Sequence, residues 1–230
     1  MYSVTFSDDN QSWNTFDTWG LVQLHAPIIS PPEIETNYVN IPAMDGFLDL
    51  SEALTGRPVF KQREFKSEYT CIANRKDWTD VFSDVVTNLH GKNLKIYIDN
   101  DFAHYYYGKI NIGEPKIDKR TFVISINADI QPWRYEVESR ITSVFCPPDQ
   151  TVSDVILGTR KPAIPQITVN VASGQPFHII GWNGNTVDYE LVQGDNFIPQ
   201  LEIRDGENTV TIQSTGYGGT ITFEFQGGGL

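Results

Sequence analysis

The sequence predicts a mainly β protein with two domains. The first is an N-terminal domain that resembles a β-barrel or sandwich and carries one α-helix, and the second is a C-terminal antiparallel β-sandwich. Three observations indicate this fold class. Apolar and polar residues alternate over 122–130, an apolar helical stripe runs over about 77–90, and short strands separated by turn residues fill the last part of the chain. The expected boundaries are 1–140 for the first domain, 141–165 for a linker and 166–230 for the sandwich.

The N-terminal strands are predicted from residues that alternate with a period of two. Phe122, Ile124 and Ile126 share one face of a strand that continues to residue 130. Residues 94–98 and 105–112 alternate in the same way on either side of a turn rich in aspartate and asparagine. We therefore expect a three-stranded meander over 94–130. Earlier strands are expected at Val4–Phe6, Leu21–His25, Glu33–Tyr38 and Val59–Ile72.

One amphipathic helix is predicted over about 77–90. Asp77 is its expected N-cap, and Gly91 lies where a C′ glycine belongs. Several residues of the apolar stripe are β-branched, and such residues favour helices only weakly. We therefore expect packing across a sheet to stabilise this helix. The stripe consists of Trp78, Val81, Phe82, Val85, Val86 and Leu89.

The expected linker is rich in proline, which is typical of connections between domains. Its prolines are Pro147, Pro148, Pro162 and Pro165. Beyond it, short strands with turn signals between them and no helix favour a small sandwich. The expected strands are Ile167–Val171, Phe177–Ile180, Val187–Val192, Gln200–Arg204, Thr209–Gln213 and Ile221–Phe225.

The charge of the chain excludes several kinds of partner. Its 230 residues include 17 basic and 29 acidic side chains, and the net charge is −12. Nucleic acids and anionic membranes attract basic surfaces, so we expect the chain to bind neither. The sequence has no run of 18 apolar residues and begins without the basic and apolar regions of a secretory signal. We therefore expect neither membrane insertion nor signal-peptide export.

Motifs that would indicate catalysis or cofactor binding are absent. The sequence contains no G-x-S-x-G, Walker A or Rossmann fingerprint, its four histidines are scattered, and Cys71 and Cys146 are expected to be free and buried. Carboxylates two residues apart would lie on one face of a strand, as a glycosidase or a cation site requires. Solvated strands and turns account for these pairs more simply, so no catalytic, cofactor or metal residue is predicted. The pairs are Glu33/Glu35, Asp99/Asp101 and Glu136/Glu138.

Aromatic clusters are the candidates for contact with other molecules. Near the N-terminus they either pin the chain to its own domain or anchor a subunit interface, where aromatic residues are enriched. The extended segment 13–32 is suited to reach a neighbouring copy. The candidate interface residues are Trp13, Phe16, Trp19, Pro27, Ile28, Ile29 and Pro31. The candidates for ligand or partner contact in the sandwich are Trp182, Tyr189 and Tyr217.

Two stretches of the sequence carry a family resemblance. Residues 41–56 read IPAMDGFLDLSEALTG, and residues 89–110 join a Leu-His-Gly-Lys start to three consecutive tyrosines. Both resemble segments of the distal tail proteins (Dit) of long-tailed phages and prophages of Gram-positive bacteria. Ala43 stands where that family has glycine, and Phe102-Ala103 replace an Asp-Pro pair. The resemblance is continuous over about 1–140 and weaker over 165–230.

The resemblance implies a structural protein without catalytic activity or cofactor. Distal tail proteins form hexameric rings at the end of the tail tube, where the N-terminal domain builds the ring and a galectin-like C-terminal sandwich projects outward. The implied partners are other copies of the chain, the tail-tube protein above, and the tail-associated lysin or hub and receptor-binding proteins below. The implied location is the virion tail tip. DNA would pass through the ring unbound, which the acidic charge favours because it repels phosphate.

Two alternatives remain open from the sequence. In one, the sandwich is a carbohydrate-binding module that acts in host adsorption through its aromatic residues, a role compatible with a structural one. In the other, the chain is a small glycan hydrolase that uses Glu33/Glu35 or Glu136/Glu138.

Overall fold

A computed structural model describes residues 3–171 and 177–230 of the chain. The chain divides into two compact units, Met1–Arg134 together with Leu230, and Tyr135–Gly229. Strands predominate over helices in the described residues, so the predicted mainly β class is confirmed. No helix in this part of the chain is long and apolar enough to cross a membrane.

The first unit is built on one antiparallel sheet that curls like half of a barrel. Its elements are β1 (Val4–Ser7), β2 (Ser12–Asn14), α1 (Thr15–Trp19), β3 (Leu21–Gln23), β4 (Ile28–Ile29), β5 (Tyr38–Val39), β6 (Leu48–Asp49), β7 (Arg63–Cys71), α2 (Trp78–Leu89), β8 (Asn93–Ile98), β9 (His104–Ile112), β10 (Lys116–Ile117) and β11 (Phe122–Ile130). The strand order is β2-β1-β8-β9-β11-β7-β3. The predicted meander is confirmed, since β9 lies between β8 and β11.

The helix predicted over about 77–90 is α2, with bounds that differ by one residue at each end. Its buried side chains include Val85 and Leu89, and the Trp78 ring lies 5.6 Å from that of Phe122, a residue of the sheet. The helix therefore packs on the core face of the sheet. Asp77 makes no side-chain capping hydrogen bond, so the expected cap is not formed.

A second helix, α1, is absent from the sequence prediction because it is only five residues long. The Asn14 side chain accepts hydrogen bonds from the backbone of Phe16 and Asp17, which is standard N-capping. Gly20 ends the helix with φ 63°, a left-handed conformation that favours glycine. Caps at both ends thus stabilise a helix that is too short to show an apolar helical period in the sequence.

The second unit is a sandwich of two four-stranded antiparallel sheets, ordered β13-β20-β15-β18 and β14-β19-β16-β17. The strands of the two sheets are β13 (Arg140–Cys146), β14 (Thr151–Gly158), β15 (Gln166–Val171), β16 (Phe177–Trp182), β17 (Asn185–Leu191), β18 (Gly194–Phe197), β19 (Gly206–Ser214) and β20 (Gly219–Phe225). Outside these sheets, β12 (Arg134–Glu136), which begins at the last residue of the first unit before the division, pairs with β21 (Gly228–Gly229). Apolar side chains from both sheets, such as Phe223 and Ile212, form one core.

The structure corrects the predicted linker over 141–165. This segment supplies β13 and β14, one strand for each sheet of the sandwich. The prolines of this segment lie outside both strands, because a proline cannot donate a hydrogen bond to a neighbouring strand. Prolines therefore occur at the ends of strands as well as in linkers. The expected strand Gln200–Arg204 is reduced to a single bridge at Ile203, and the expected strand Glu33–Tyr38 to a bridge at Ile34 and the start of β5.

Candidate functional site

The two N-terminal tryptophans of the predicted interface are buried in their own unit. Trp13 and Trp19 belong to the core of the first unit, with 8% and 5% of their surface exposed. The Trp19 indole donates a hydrogen bond of 2.6 Å to Asp84 on α2. Phe16, between them in sequence, is half-buried. Burial favours the first sequence alternative for these two rings, that they pin the segment to its own domain.

The other predicted interface residues lie at the start of a long excursion from the sheet. Ile29 packs on the core, whereas its neighbour Ile28 is exposed, and both pair with β7. Pro27 is half-buried and Pro31 is exposed. After them the chain leaves the sheet and returns only at Arg63. We call residues 30–62 the arm.

The base of the arm is fixed to the sheet by one buried arginine. The Arg63 guanidinium donates to the Ser30 carbonyl at 2.6 Å and to the Pro132 carbonyl at 3.3 Å, and it lies over the Tyr106 ring. Burial lowers the pKa of Arg63. The backbones of Ser30 and Glu64 add a hydrogen bond of 3.0 Å. The arm thus begins and ends at a rigid point.

Further out, the arm is a narrow two-stranded ribbon. Backbone hydrogen bonds of 2.8 Å join Glu35 to Val59 and Lys61 to Glu33. Beyond them β5 pairs with β6, and the rings of Tyr38 and Phe47 lie 4.4 Å apart. In the turn that joins β5 to β6, Ala43 has φ 67°. Alanine therefore adopts the left-handed conformation that glycine adopts more readily, at the position where the resembling family has glycine.

The arm exposes an unusual amount of apolar surface. Leu54 is fully exposed and Phe47 is 59% exposed. Many exposed large apolar side chains on one short segment of a folded protein indicate a site of contact with another molecule. The exposed large apolar residues of the arm are Ile34, Tyr38, Val39, Ile41, Met44, Phe47, Leu48 and Leu54. Most of these residues lie in or next to the segment 41–56 that carries the family resemblance, and apolar residues without helix or strand periodicity are the sequence signal for such a surface.

A second surface lies on the sheet face that points away from the core. Leu94 and Ile96 point into the core, so Lys95 and Tyr97 on the same strand point outward. The rings of Tyr97 and Tyr105 lie 5.6 Å apart, and the Lys95 ammonium is 5.8 Å from the Tyr105 ring. This tyrosine face, which we define as Lys95, Tyr97, Tyr105, Tyr107 and Lys109, is half-buried apart from the exposed Lys109.

The turn between β8 and β9 is held by a cluster of charges. Asp101 accepts from Arg134 at 2.7 Å and from His104 at 2.9 Å. Burial alone would raise the pKa of Asp101, but the hydrogen bonds from Arg134 and His104 outweigh it, so this pKa lies below its usual value. The cluster fixes the turn in which Phe102-Ala103 replace the family's Asp-Pro pair.

In the sandwich, the structure does not bring the predicted contact residues to one exposed face. Trp182 is buried in the core, with 7% of its surface exposed, and Tyr189 is half-buried against the same core. Tyr217 is exposed in the turn between β19 and β20. Stacking of a sugar on Trp182 is therefore not available.

The carboxylate pairs are engaged in ion pairs or hydrogen bonds, or lie in solvent. Asp99 accepts a hydrogen bond of 3.0 Å from the Ser3 backbone. Glu33 pairs with Lys61 at 3.8 Å on the exposed arm, and Glu136 binds Arg140 through both oxygens at 2.8 and 2.7 Å. Within residues 3–171 and 177–230, no group of three or more metal-ligating side chains converges. Cys71 and Cys146 are buried and free. No arrangement for hydrolysis is formed by these residues.

The chain is similar in structure, but not in sequence, to known proteins. No family model and no curated protein sequence matches the chain. A solved structure does match, that of the SPP1 Dit (gp 19.1) protein, described as a paradigm of the hub adsorption apparatus in phages that infect Gram-positive bacteria. The two are 14% identical, the match covers 98% of this chain and 99% of that one, and the TM-score is 0.67. The chain therefore has the fold of this phage protein over nearly its whole length, as the resemblance in the sequence predicted.

Proposed function

We propose that this protein is a structural, non-enzymatic component of a phage-type tail. Six copies form a ring at the distal end of the tail tube, and the ring connects the tube to the baseplate or receptor-binding apparatus and leaves a channel for DNA. The fold shared with SPP1 Dit supports a place in such an assembly. The protein would be located at the tail tip of the virion.

The arm is the observation that carries this proposal. In a closed ring, each copy contacts its neighbours head to tail, so one surface of each copy binds a different surface of the next copy. An ordered ribbon with eight exposed large apolar side chains is suited to be one of these surfaces. Its base at Arg63 is rigid, so little conformational entropy is lost there when the arm docks.

The tyrosine face is a surface suited to receive the arm. Tyrosine is enriched at protein interfaces, and the face includes Lys95, which lies 3.4 Å from Asp9, and the exposed Lys109. The arm carries five acidic and two basic side chains, so its charge is opposite. We place the arm of one copy against the tyrosine face of the next.

The remaining partners follow from the position of such a ring. The tail-tube protein would stack on one side, and the tail-associated lysin or hub and the receptor-binding proteins would attach on the other. The net charge of −12 disfavours adhesion of DNA during passage. Reversing acidic residues of the channel to lysine should slow DNA ejection.

The first experiment is the solution mass of the purified chain, with negative-stain images of any large species. Six copies of the 26.0 kDa chain give about 156 kDa, and the images should show rings with an open centre. A species of 26.0 kDa at every concentration, both alone and with the tail-tube protein of the same phage, would contradict the ring.

A further inference from the structure

A cavity of about 440 Å³ opens on the outer face of the sheet β13-β20-β15-β18, entirely within the second unit. Ligand sites for small molecules are commonly of this size and combine apolar surface with a few polar groups. Its lining includes Ser139, Gln166, Asp195, Phe197, Glu224 and Gln226. The predicted contact residues Trp182, Tyr189 and Tyr217 are not among the lining residues.

Strand pairing places the key side chains in one row. Gln166 on β15 lies opposite Glu224 on β20 and opposite Phe197 on β18. Residues paired across neighbouring strands share a face, so the amide, the carboxylate and the phenyl ring stand side by side. The Phe197 ring is 67% exposed, although phenylalanine is usually buried.

The start of β18, the strand that ends at Phe197, is held in place by side-chain hydrogen bonds. The Asn196 amide donates to the carbonyls of Val192 and Gly194 at 2.8 and 3.0 Å, and its oxygen accepts from the Val192 backbone at 2.9 Å. The Thr168 hydroxyl donates to the Asp195 carboxylate at 2.8 Å. Asn196 and Asp195 are therefore positioned before any ligand arrives, which lowers the entropic cost of binding at this edge of the cavity.

We propose that this cavity binds a neutral saccharide. A pyranose ring has hydroxyl groups around its edge and an apolar face of C–H groups, and it requires both kinds of partner. The carboxylates of Asp195 and Glu224 accept hydrogen bonds from hydroxyls, and the Gln166 amide both donates and accepts. The exposed Phe197 ring packs against the apolar face.

The charge of the cavity selects for neutral ligands. Its lining contains two carboxylates and no basic side chain. A phosphate or an acidic sugar would be repelled, since nothing there offsets its charge. The site thus differs in its residues from the contact predicted from the sequence at Trp182, Tyr189 and Tyr217, of which Trp182 is buried. It is also independent of the arm and of ring formation, which belong to the first unit.

Saturation-transfer difference NMR with the full chain tests this proposal. The probes are the methyl glycosides of glucose, galactose, N-acetylglucosamine and rhamnose. We expect at least one to give saturation transfer with the wild-type protein. Phe197→Ala and Glu224→Gln should each weaken its binding at least tenfold, whereas Phe145→Ala, on the same sheet face but outside the cavity lining, should leave it unchanged.

The variants separate loss of the site from loss of the fold. Both replaced side chains are exposed, so the melting temperature should stay within about a degree or two of wild type. Absence of saturation transfer from all four glycosides would overturn the proposal, and so would binding that persists in both cavity variants. Ring formation, measured on the same samples, should be unaffected by either variant, so failure here is distinguishable from failure of the proposed tail function.

Discussion

Replacing Phe47 and Leu54 of the arm with aspartate tests whether the arm holds the ring together. Leu54 is fully exposed and Phe47 is 59% exposed in the single chain, so a neighbour that covers them buries most of two large side chains. Full burial of such a side chain contributes about 1.5–3 kcal/mol. Loss of both apolar side chains weakens the contact between neighbouring copies by about 3 kcal/mol, which raises the dissociation constant of that contact by roughly a hundredfold. Desolvation of the new carboxylates would add to this loss.

The assay is light scattering across a dilution series, combined with thermal unfolding. We expect the ring of the double variant to dissociate at a concentration roughly a hundred times higher than that of wild type. The unfolding temperature of the dissociated chain should not change, because neither side chain belongs to the core. Phe145→Asp is the matched control, since this residue is 62% exposed but lies on β13 in the second unit. A double variant that forms rings as stable as wild type would refute the role of the arm.

Three further predictions concern stability. Asp101→Asn should lower the free energy of unfolding by about 1.5–3 kcal/mol at pH 7, because it removes charged hydrogen bonds. Since the pKa of Asp101 is lowered in the folded state, this contribution is present above about pH 4 and is lost as pH falls. Stability measured by urea unfolding should therefore depend less on pH in the variant than in wild type, and an equal pH dependence would contradict this reasoning. Arg63→Met should lower the free energy of unfolding by about 2 kcal/mol and speed hydrogen exchange of the Ser30 amide, which donates to the Glu64 carbonyl at the base of the arm; unchanged exchange would exclude the anchoring role of Arg63. Trp182→Ala should lower the free energy of unfolding by about 3–5 kcal/mol, whereas Tyr217→Ala should change it by no more than about 0.5 kcal/mol. Equal effects in urea unfolding would contradict the burial of Trp182.

Prediction of the fold succeeded where a local pattern and its tertiary environment agree. The strand over 122–130 is central in its sheet, so every second side chain is buried and the alternation is strict. The stripe of α2 is equally clear because one helix face packs on the sheet. By contrast, α1 depends on its caps at Asn14 and Gly20, and five residues are too few to show a period.

Prediction of the candidate sites succeeded less well. An aromatic residue beside a turn has the same local sequence whether it points into the core, as Trp182 does, or into solvent, as Tyr217 does. The cavity around Phe197 joins residues from β15, β18 and β20, which are far apart in the chain. Only strand pairing brings them into one row.

The sequence by itself determined the mainly β class, the helix over 77–90, the acidic charge and the resemblance to distal tail proteins. These depend on composition and on neighbours within a few residues, which the chain order states directly. The tertiary structure alone decided that residues 141–165 supply strands to the sandwich, that Trp13 and Trp19 are core residues, and that the large apolar side chains of the arm are exposed among residues 3–171 and 177–230. Burial is a property of packing between distant segments, and the same apolar residue is a core residue or a contact surface according to which strand lies beside it.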